Sequence, residues 1–209
     1  LKSIETWLMD HKEEIRNAMH QDYRKPNSEV DLTELWAVLN EIRHFRRYLK
    51  KWMRPSKVKS TLALATAEAW IQYEPKGVVL IITPWNFPFN LTISPLISAI
   101  AAGNCAIIKP SELTPHSSKV IADMVSDLFE EKEVALFEGD ANVAEALLDQ
   151  PFNHIFFTGS PKIGSSVMKK AAKHLSTVTL ELGGKSPTIV DETANLKDAA
   201  QKISWGKFL

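Results

Sequence analysis

The sequence predicts an α/β protein whose main part is a doubly wound parallel sheet, with a pair of helices and a projecting β arm in front of it. From Gly77 onwards, short apolar segments alternate with segments of helical periodicity. Such alternation is typical of parallel strands joined by right-handed helical crossovers. Before Gly77, two longer runs have apolar residues at helical spacing, so this part is predicted to be helical.

The first 59 residues are predicted to form two helices that pack outside the sheet. Apolar residues recur at helical spacing up to Tyr23, Pro26 interrupts the run, and a second apolar stripe continues until Pro55. Residues 60–75 are rich in Ala and Thr and carry aromatic residues towards their end. We predict an extended arm or hairpin there, of the kind that often joins subunits.

Residues 76–209 are predicted to form the sheet and its helices. Each predicted strand is a short apolar run bounded by Gly, Pro or polar residues. The strands are expected at 78–82, 105–108, 134–137, 154–157 and 178–182, with a sixth at 188–190. The helices of this part are expected at 91–102, 117–129, 142–148, 161–174 and 196–205.

The charge balance argues against several classes of function. Lys plus Arg and Asp plus Glu both number 25, so no net field would recruit nucleic acid or an anionic membrane surface. The second helix carries a row of basic residues, which could form a nucleic-acid-binding face, but the aromatic and readout motifs of such modules are missing. We interpret the row as a solvated helix face, and we predict neither a nucleic-acid partner nor a metal site.

Three further features bear on the compartment and the extent of the chain. Residues 77–108 lack charged side chains, but prolines and asparagines interrupt them, so a buried strand–helix–strand unit is predicted rather than a membrane span.

Cys105 is the only cysteine, which excludes an intrachain disulfide and favours a reducing compartment, with the cytoplasm as the default. Because Cys105 begins an apolar strand, we expect it to be buried and slow to react. Leu1 lies inside a helical pattern, so we expect both ends to be cut.

Ligands of a doubly wound sheet bind beyond the carboxyl ends of its strands, so the residues that follow each apolar run are the candidates for function. These positions are unusually rich in polar residues and Gly. They are residues 83–86, 109–112, 138–139, 158–160 and 181–184.

Residues 158–164 lead from a predicted strand into a predicted helix, and Ser160 is suited to cap that helix. Free amide groups and the helix dipole would hold a phosphate there, whereas an ordinary capped turn explains the same residues equally well. Gly159 and Gly164 have the spacing of a P-loop, but Ser165 stands where that motif requires Lys. The motif therefore does not predict a nucleotide triphosphatase.

Charged and amide side chains at the other strand ends have two interpretations each. Lys109 and Glu112 could bind the ribose of a nucleotide or form a surface ion pair. Glu181 ends a strand before two glycines and could act as a general base or pair with Lys185. Asn86 could donate a hydrogen bond to an oxyanion, or it could be an ordinary turn residue.

Four motifs in this order resemble the signatures of aldehyde dehydrogenases. They are Pro-Trp-Asn-Phe-Pro at 84–88, Gly-Asn at 103–104 followed by Lys-Pro-Ser-Glu at 109–112, Phe-Thr-Gly-Ser at 157–160, and Leu-Glu-Leu-Gly-Gly-Lys-Ser-Pro at 180–187. The resemblance covers residues 1–209. The short front end with its Trp-rich helix is most similar to the class 3 branch, which includes enzymes of fatty and aromatic aldehydes.

The resemblance implies a Rossmann-like domain that binds NAD. It also implies that Asn86 contributes to an oxyanion hole and that Glu181 activates a water molecule. Glu112 would repel a 2′-phosphate, so NAD is favoured, although NADP is possible. The implied cofactor-binding residues are Thr83, Trp85, Lys109, Glu112, Gly139, Thr158, Gly159, Ser160, Ile163 and Gly164.

The resemblance further implies a cysteine nucleophile that forms a thiohemiacetal with a small-molecule aldehyde and then, after hydride transfer, a thioester that is hydrolysed. In the family this cysteine follows the Glu-Leu-Gly-Gly strand, so we expect it beyond Leu209. The intact protein is expected to be a homodimer. Two alternatives remain for the chain as given: a dinucleotide-binding module without chemistry, and a truncated subunit that serves as an interaction partner.

Overall fold

A computed structural model of the chain describes residues 1–64 and 66–209. The front of the chain forms two antiparallel helical runs, each with one irregularity. At His11 the backbone leaves the helical conformation, with φ of −105° and ψ of 19°, so the first predicted helix is split in two. The second run contains one π-helical turn. The first run consists of α1 (Lys2–Asp10) and α2 (Lys12–Tyr23). The second run consists of α3 (Asn27–Val30), the π turn (Asp31–Leu35) and α4 (Trp36–Trp52).

The predicted arm contains a small antiparallel hairpin. Strand β1 (Ser56–Val58) pairs with β2 (Ala69–Ile71), and a short 3₁₀ turn (Leu62–Leu64) lies between them. Every residue of both strands is exposed. Ala65, within the predicted arm, lies outside the described residues. A role of this hairpin in joining subunits stays a prediction.

The central sheet has five strands, all of them parallel, in the order β5-β4-β3-β6-β7. The predicted α/β class with a doubly wound parallel sheet is therefore confirmed. The strands are β3 (Val78–Ile82), β4 (Cys105–Lys109), β5 (Val134–Leu136), β6 (His154–Gly159) and β7 (Thr177–Leu182).

The sixth strand predicted at 188–190 was wrong, because these residues are irregular coil. Ile189 is 91 % exposed, so its side chain has no apolar face to pack against. An apolar run of three residues does not form a strand unless another strand pairs with it.

Helices cover both faces of the sheet, and the alternation of side chains along β3 separates two cores. The helices of this part are α5 (Asn90–Ala101), α6 (Pro115–Leu128), α7 (Ala141–Leu148), α8 (Pro161–Ala172) and α9 (Leu196–Phe208). Val79 and Ile81 pack with α5, α6 and the front helices. Leu80 and Ile82 pack on the other face with α7 and α8. Helix α9 has no buried residue.

The uncharged stretch at 77–108 folds as predicted into a strand, a helix and a strand, namely β3, α5 and β4. Helix α5 has only 12 residues and contains Pro95. Among the described residues, no helix combines the length and the apolarity that crossing a bilayer requires.

The expectation that Cys105 is buried was wrong, because the residue is exposed. Cys105 is the first residue of β4 and pairs with Val78, which is itself 39 % exposed. Helices cover the middle of these strands but not their first residues. The position at the amino end of β4 was predicted correctly, and it lies at the sheet edge opposite to the carboxyl ends of the strands.

We therefore expect the folded chain to react with a thiol reagent such as DTNB at a rate within about tenfold of that of the urea-unfolded chain, because exposure is not limiting. Addition of NAD should leave this rate unchanged, since ligands of such a sheet bind at the carboxyl edge. The absorbance of the released thiolate measures the rate. Labelling that is a hundredfold slower than in urea would contradict the exposed position.

Candidate functional site

The order of the strands reverses between β3 and β6, since the chain moves from β3 to β4 and β5 on one side and later to β6 and β7 on the other. In open α/β sheets the crevice at such a point, beyond the carboxyl ends of the strands, is where ligands bind. The five candidate segments of the sequence all lie at this edge, as the prediction required.

The turn after β3 is anchored by Thr83 and presents two side chains to solvent. The Thr83 side chain is buried, and its Oγ1 accepts a hydrogen bond from Thr92 Oγ1 at 2.9 Å. Its backbone amide donates to the Lys109 carbonyl at 3.2 Å. Trp85 is 51 % exposed and Asn86 is also exposed. Thr83 is therefore an internal anchor, whereas Trp85 and Asn86 are accessible to a ligand.

A cleft of about 960 Å³ lies beside this turn and brings the two predicted catalytic side chains together. Asn86 lines it from the turn after β3, and Glu181 lines it from the end of β7. Glu181 is exposed, and within the described ranges it forms no ion pair with Lys185. The carboxylate is therefore available to a molecule in the cleft.

The same cleft includes the turn between β6 and α8. Ser160 caps α8, because its Oγ accepts a hydrogen bond from the Ile163 amide at 3.3 Å, and the predicted cap is confirmed. The partial positive charge at this end of α8 favours an anion beside Ser160. The Thr158 Oγ1 atom is buried and has no hydrogen-bond partner among the described residues, so it is free to bond to a ligand.

Two predicted cofactor residues at the start of α8, Ile163 and Gly164, differ in their exposure. Ile163 is 54 % exposed beside the Ser160 cap. Gly164 is buried, and a Cβ atom there would lie 2.8 Å from Leu182 Cδ2. Gly164 therefore allows α8 to pack closely on β7, and its contribution to the site is this close approach.

A second hollow of about 260 Å³ lies beyond β4 and β5. Glu112 and Gly139 line it, together with Glu138 and Asp140. Gly139 has a φ of +139°, which other residues rarely adopt, and a Cβ there would lie 2.5 Å from Val143 Cγ2. The three carboxylates make this hollow anionic.

Lys109 and Glu112 form an ion pair at this hollow, with 2.7 Å between Nζ and Oε2. The ion pair weighed as an alternative is therefore formed, between a Lys109 side chain that is 4 % exposed and a Glu112 side chain that is 45 % exposed. The hydrogen bond from Lys109 lowers the pKa of Glu112 below its usual value, which outweighs the opposite effect of partial burial. Glu112 is therefore an anion at neutral pH.

Sequence reasoning missed a buried group that contacts the turn after β3. Lys25 and Glu34 form an ion pair with 2.8 Å between Nζ and Oε1, and their side chains are 5 % and 0 % exposed. One signal was available: Glu34 falls four residues after Val30 and four before Val38, two buried residues of the apolar helical stripe. A charged residue at such a position needs a buried partner.

The chain resembles known proteins along its whole length. The family model described as "Aldehyde dehydrogenase family" matches residues 1–209. AldX of Bacillus subtilis is 53 % identical over 202 residues, which are 97 % of this chain and 45 % of AldX. Aldehyde dehydrogenase family 3 member B2 of the mouse is 39 % identical over 208 residues, which are 100 % of this chain and 43 % of that protein.

Solved structures agree with these matches. AldH of Staphylococcus aureus, in a substrate-bound state, has a TM-score of 0.96 at 42 % identity and covers 99 % of this chain. An NAD⁺ complex of an aldehyde dehydrogenase from Bacillus cereus has a TM-score of 0.85 at 28 % identity and covers 95 % of this chain. The match covers 45 % and 40 % of those chains, so this chain spans less than half the length of these relatives.

The Ser160 cap can be tested by substitution. We expect Ser160→Ala to lower the free energy of unfolding by about 1 kcal/mol, because the Ile163 amide loses its acceptor. Ser160→Asp should retain most of the stability, since Asp also accepts this bond. Urea denaturation measures the difference, and Ser165→Ala, an exposed position in the same helix, is the matched control. If the Ala variants at positions 160 and 165 are equally stable, the Ser160 side chain does not stabilise α8.

Proposed function

Because the chain belongs to the aldehyde dehydrogenase family, we propose that it is the cofactor-binding part of an enzyme that oxidises an aldehyde to a carboxylic acid with NAD, or with NADP. The observation that supports this most strongly is the joint lining of one cleft by Asn86 and Glu181, next to the capped start of α8. An oxyanion donor, a base and an anion site at one sheet edge are what such a reaction needs.

The residues of this edge fit a dinucleotide that crosses the carboxyl ends of the strands. Lys109 and Glu112 would hold the adenosine ribose, and Gly139 would leave room for it in the hollow beyond β4 and β5. Ser160 and the start of α8 would receive the pyrophosphate, with Thr158 Oγ1 as a further hydrogen-bonding group. The nicotinamide half would then reach the cleft, where it supplies a hydride acceptor. The Bacillus cereus relative is an NAD⁺ complex.

The chain's own side chains would act on the two oxygen atoms of the reaction. The Asn86 amide would donate a hydrogen bond to the oxygen of the former aldehyde once a thiol has attacked its carbon. Glu181 would take a proton from the water that releases the acid product. Neither residue forms the first covalent bond, so a thiol nucleophile is required.

The only cysteine of these 209 residues, Cys105, is at the wrong edge of the sheet for this role. We therefore propose that the nucleophile belongs to the part of the relatives that this chain does not span. The exposed β1–β2 hairpin would join two copies in a homodimer, and the substrate is a small-molecule aldehyde.

The position of Cys105 also favours a second candidate, in which the chain as given binds a dinucleotide without performing chemistry. A third candidate is a truncated subunit that only binds a partner, with the exposed hairpin as the contact surface. The intact mass of the purified protein separates the first candidate from the other two, because a value above 23.5 kDa would mean that more chain exists.

Cofactor preference depends on the anionic hollow. We expect Glu112→Gln to narrow the preference for NAD over NADP by about five- to tenfold, because one of three carboxylates near the 2′-position loses its charge. Binding of both cofactors to the chain can be measured by calorimetry, and the ratio of kcat/KM values can be measured in a version extended through the downstream cysteine. Glu68→Gln, in the exposed hairpin, controls for the loss of one charge. A ratio equal to that of the control would remove Glu112 from this role.

The chain alone is expected to have no aldehyde dehydrogenase activity, even when it folds and binds NAD, since no thiol lies at the cleft. NADH production should be measured with a panel of aldehydes for three proteins: the chain as given, its Cys105→Ala variant and the extended version. Activity only in the extended protein supports the proposal. Turnover by the given chain that disappears in the Cys105→Ala variant would overturn it.

A further inference from the structure

The buried ion pair joins Lys25, in the loop between α2 and α3, to Glu34 in the π turn, and it contacts the turn that carries Asn86. We propose that Lys25 and Glu34 are positioning residues that hold residues 84–90, and with them the Asn86 amide, in the geometry that the reaction requires. This inference rests on the function proposed above for Asn86. Neither residue lines the cleft, so both would act through the turn.

Glu34 uses its two oxygen atoms for two different partners. Oε1 accepts from Lys25 Nζ at 2.8 Å, and Oε2 accepts from the Asn90 backbone amide at 2.9 Å. Asn90 is the first residue of α5, where amide groups lack partners within the helix. The carboxylate therefore joins the front helices directly to the end of the turn after β3.

Three further contacts connect the same two segments. Lys25 Nζ lies 4.2 Å from the centre of the Phe87 ring. The Asn90 Nδ2 atom donates to the Thr33 carbonyl at 3.0 Å. The Tyr23 hydroxyl donates to the Asn86 carbonyl at 3.5 Å. The residues on both sides of Asn86 are thus held by one stretch of the front of the chain, residues 23–34.

Asn86 itself needs this support because its own side chain has none. The residue is exposed, and within the described chain its side-chain amide makes no hydrogen bond. Its position is therefore set by the backbone of the turn. Oxyanion donors act only when they are held at hydrogen-bonding distance from the developing charge, so a turn that moves by about 1 Å loses much of their effect.

A buried charge pair is a poor choice for stability alone. Apolar residues of similar size often stabilise a core as well as an ion pair or better, because the charges lose their hydration. Burial raises the pKa of Glu34, whereas Lys25 and the backbone amides of Phe89 and Asn90 favour its charged form. What the carboxylate provides and an apolar side chain does not is a directed acceptor for the Asn90 amide.

Two double variants of the full chain separate positioning from general stability. Lys25→Met with Glu34→Leu removes both charges and the acceptor. Lys25→Met with Glu34→Gln removes both charges but keeps an amide oxygen that can accept from Asn90. Neither leaves an unpaired buried charge, which the single variants would, so both are expected to fold. Replacement of the exposed pair Lys119 and Asp123 by Met and Leu is the control for loss of an ion pair.

Amide hydrogen exchange and the NMR signal of the Asn86 side-chain amide are the measurements. In the Met/Leu variant we expect exchange of the Phe89 and Asn90 amides to become about ten- to a hundredfold faster, while the amides of β3 stay as in the unchanged chain. The Asn86 side-chain signal should shift. In the Met/Gln variant both observations should return towards the unchanged chain.

Equal exchange in the two double variants, or faster exchange spread evenly over β3 and β6, would overturn the inference, because the pair would then act on stability alone. An unchanged Asn86 signal in the Met/Leu variant would also overturn it. Binding of NAD, measured in parallel by calorimetry, tests the proposed function separately. A chain that does not bind NAD but shows the expected exchange pattern would contradict the proposed function and leave the positioning contact intact.

Discussion

The parallel pairing of β3 with both β4 and β6 is the constraint on which the rest of the molecule depends. Every residue of β3 has a partner in β4, and the last four have partners in β6 as well. This pairing fixes which strand ends lie side by side. It also sends the helices after β3 to one face and the helices after β5 to the other, so that both faces of β3 are buried. The candidate site exists because five strand ends meet at one edge.

The two sides of that edge have opposite electrostatic character. Beyond β4 and β5, Glu112, Glu138 and Asp140 surround the smaller hollow with carboxylates. Beyond β6, the amino end of α8 presents partial positive charge at the Ser160 cap. A ligand with hydroxyl groups at one end and a diphosphate near its middle would match this distribution of charge.

Much of this arrangement could be predicted from the sequence, because local chemistry determines it. The strands are short runs of apolar residues, so their bounds were predicted to within about two residues, and Ser160 caps α8 as its side chain suggested. The expectation that Cys105 is buried was wrong because a strand pattern does not reveal where the covering helices end. At the break in the first helix, the His11 ring stacks against Trp7, a contact that periodicity does not encode.

The contact between Lys25, Glu34 and Asn90 could not be predicted for a different reason. It joins residues that are 56 positions apart, and only the docking of the front helices on α5 brings them together. The sequence signalled that Glu34 needed a buried partner but not which one. The candidate residues of the sheet edge could be found from their strands, whereas the residues that hold the edge in place required the assembled structure.

The central position of β3 has a consequence for the order in which the chain can fold during synthesis. The Val78 amide, at the start of β3, donates a hydrogen bond to Asn153 Oδ1, 75 residues later in the chain. On its other side β3 pairs with β4, which follows after a single helix. At about 5 to 20 residues per second, one edge of β3 remains unpaired on the ribosome for several seconds. During this interval an apolar strand with free amide and carbonyl groups is open to wrong partners, including β3 of a neighbouring nascent chain. The early helices of the chain are available before β3 and can cover one face of it, but they leave that edge open until β6 emerges.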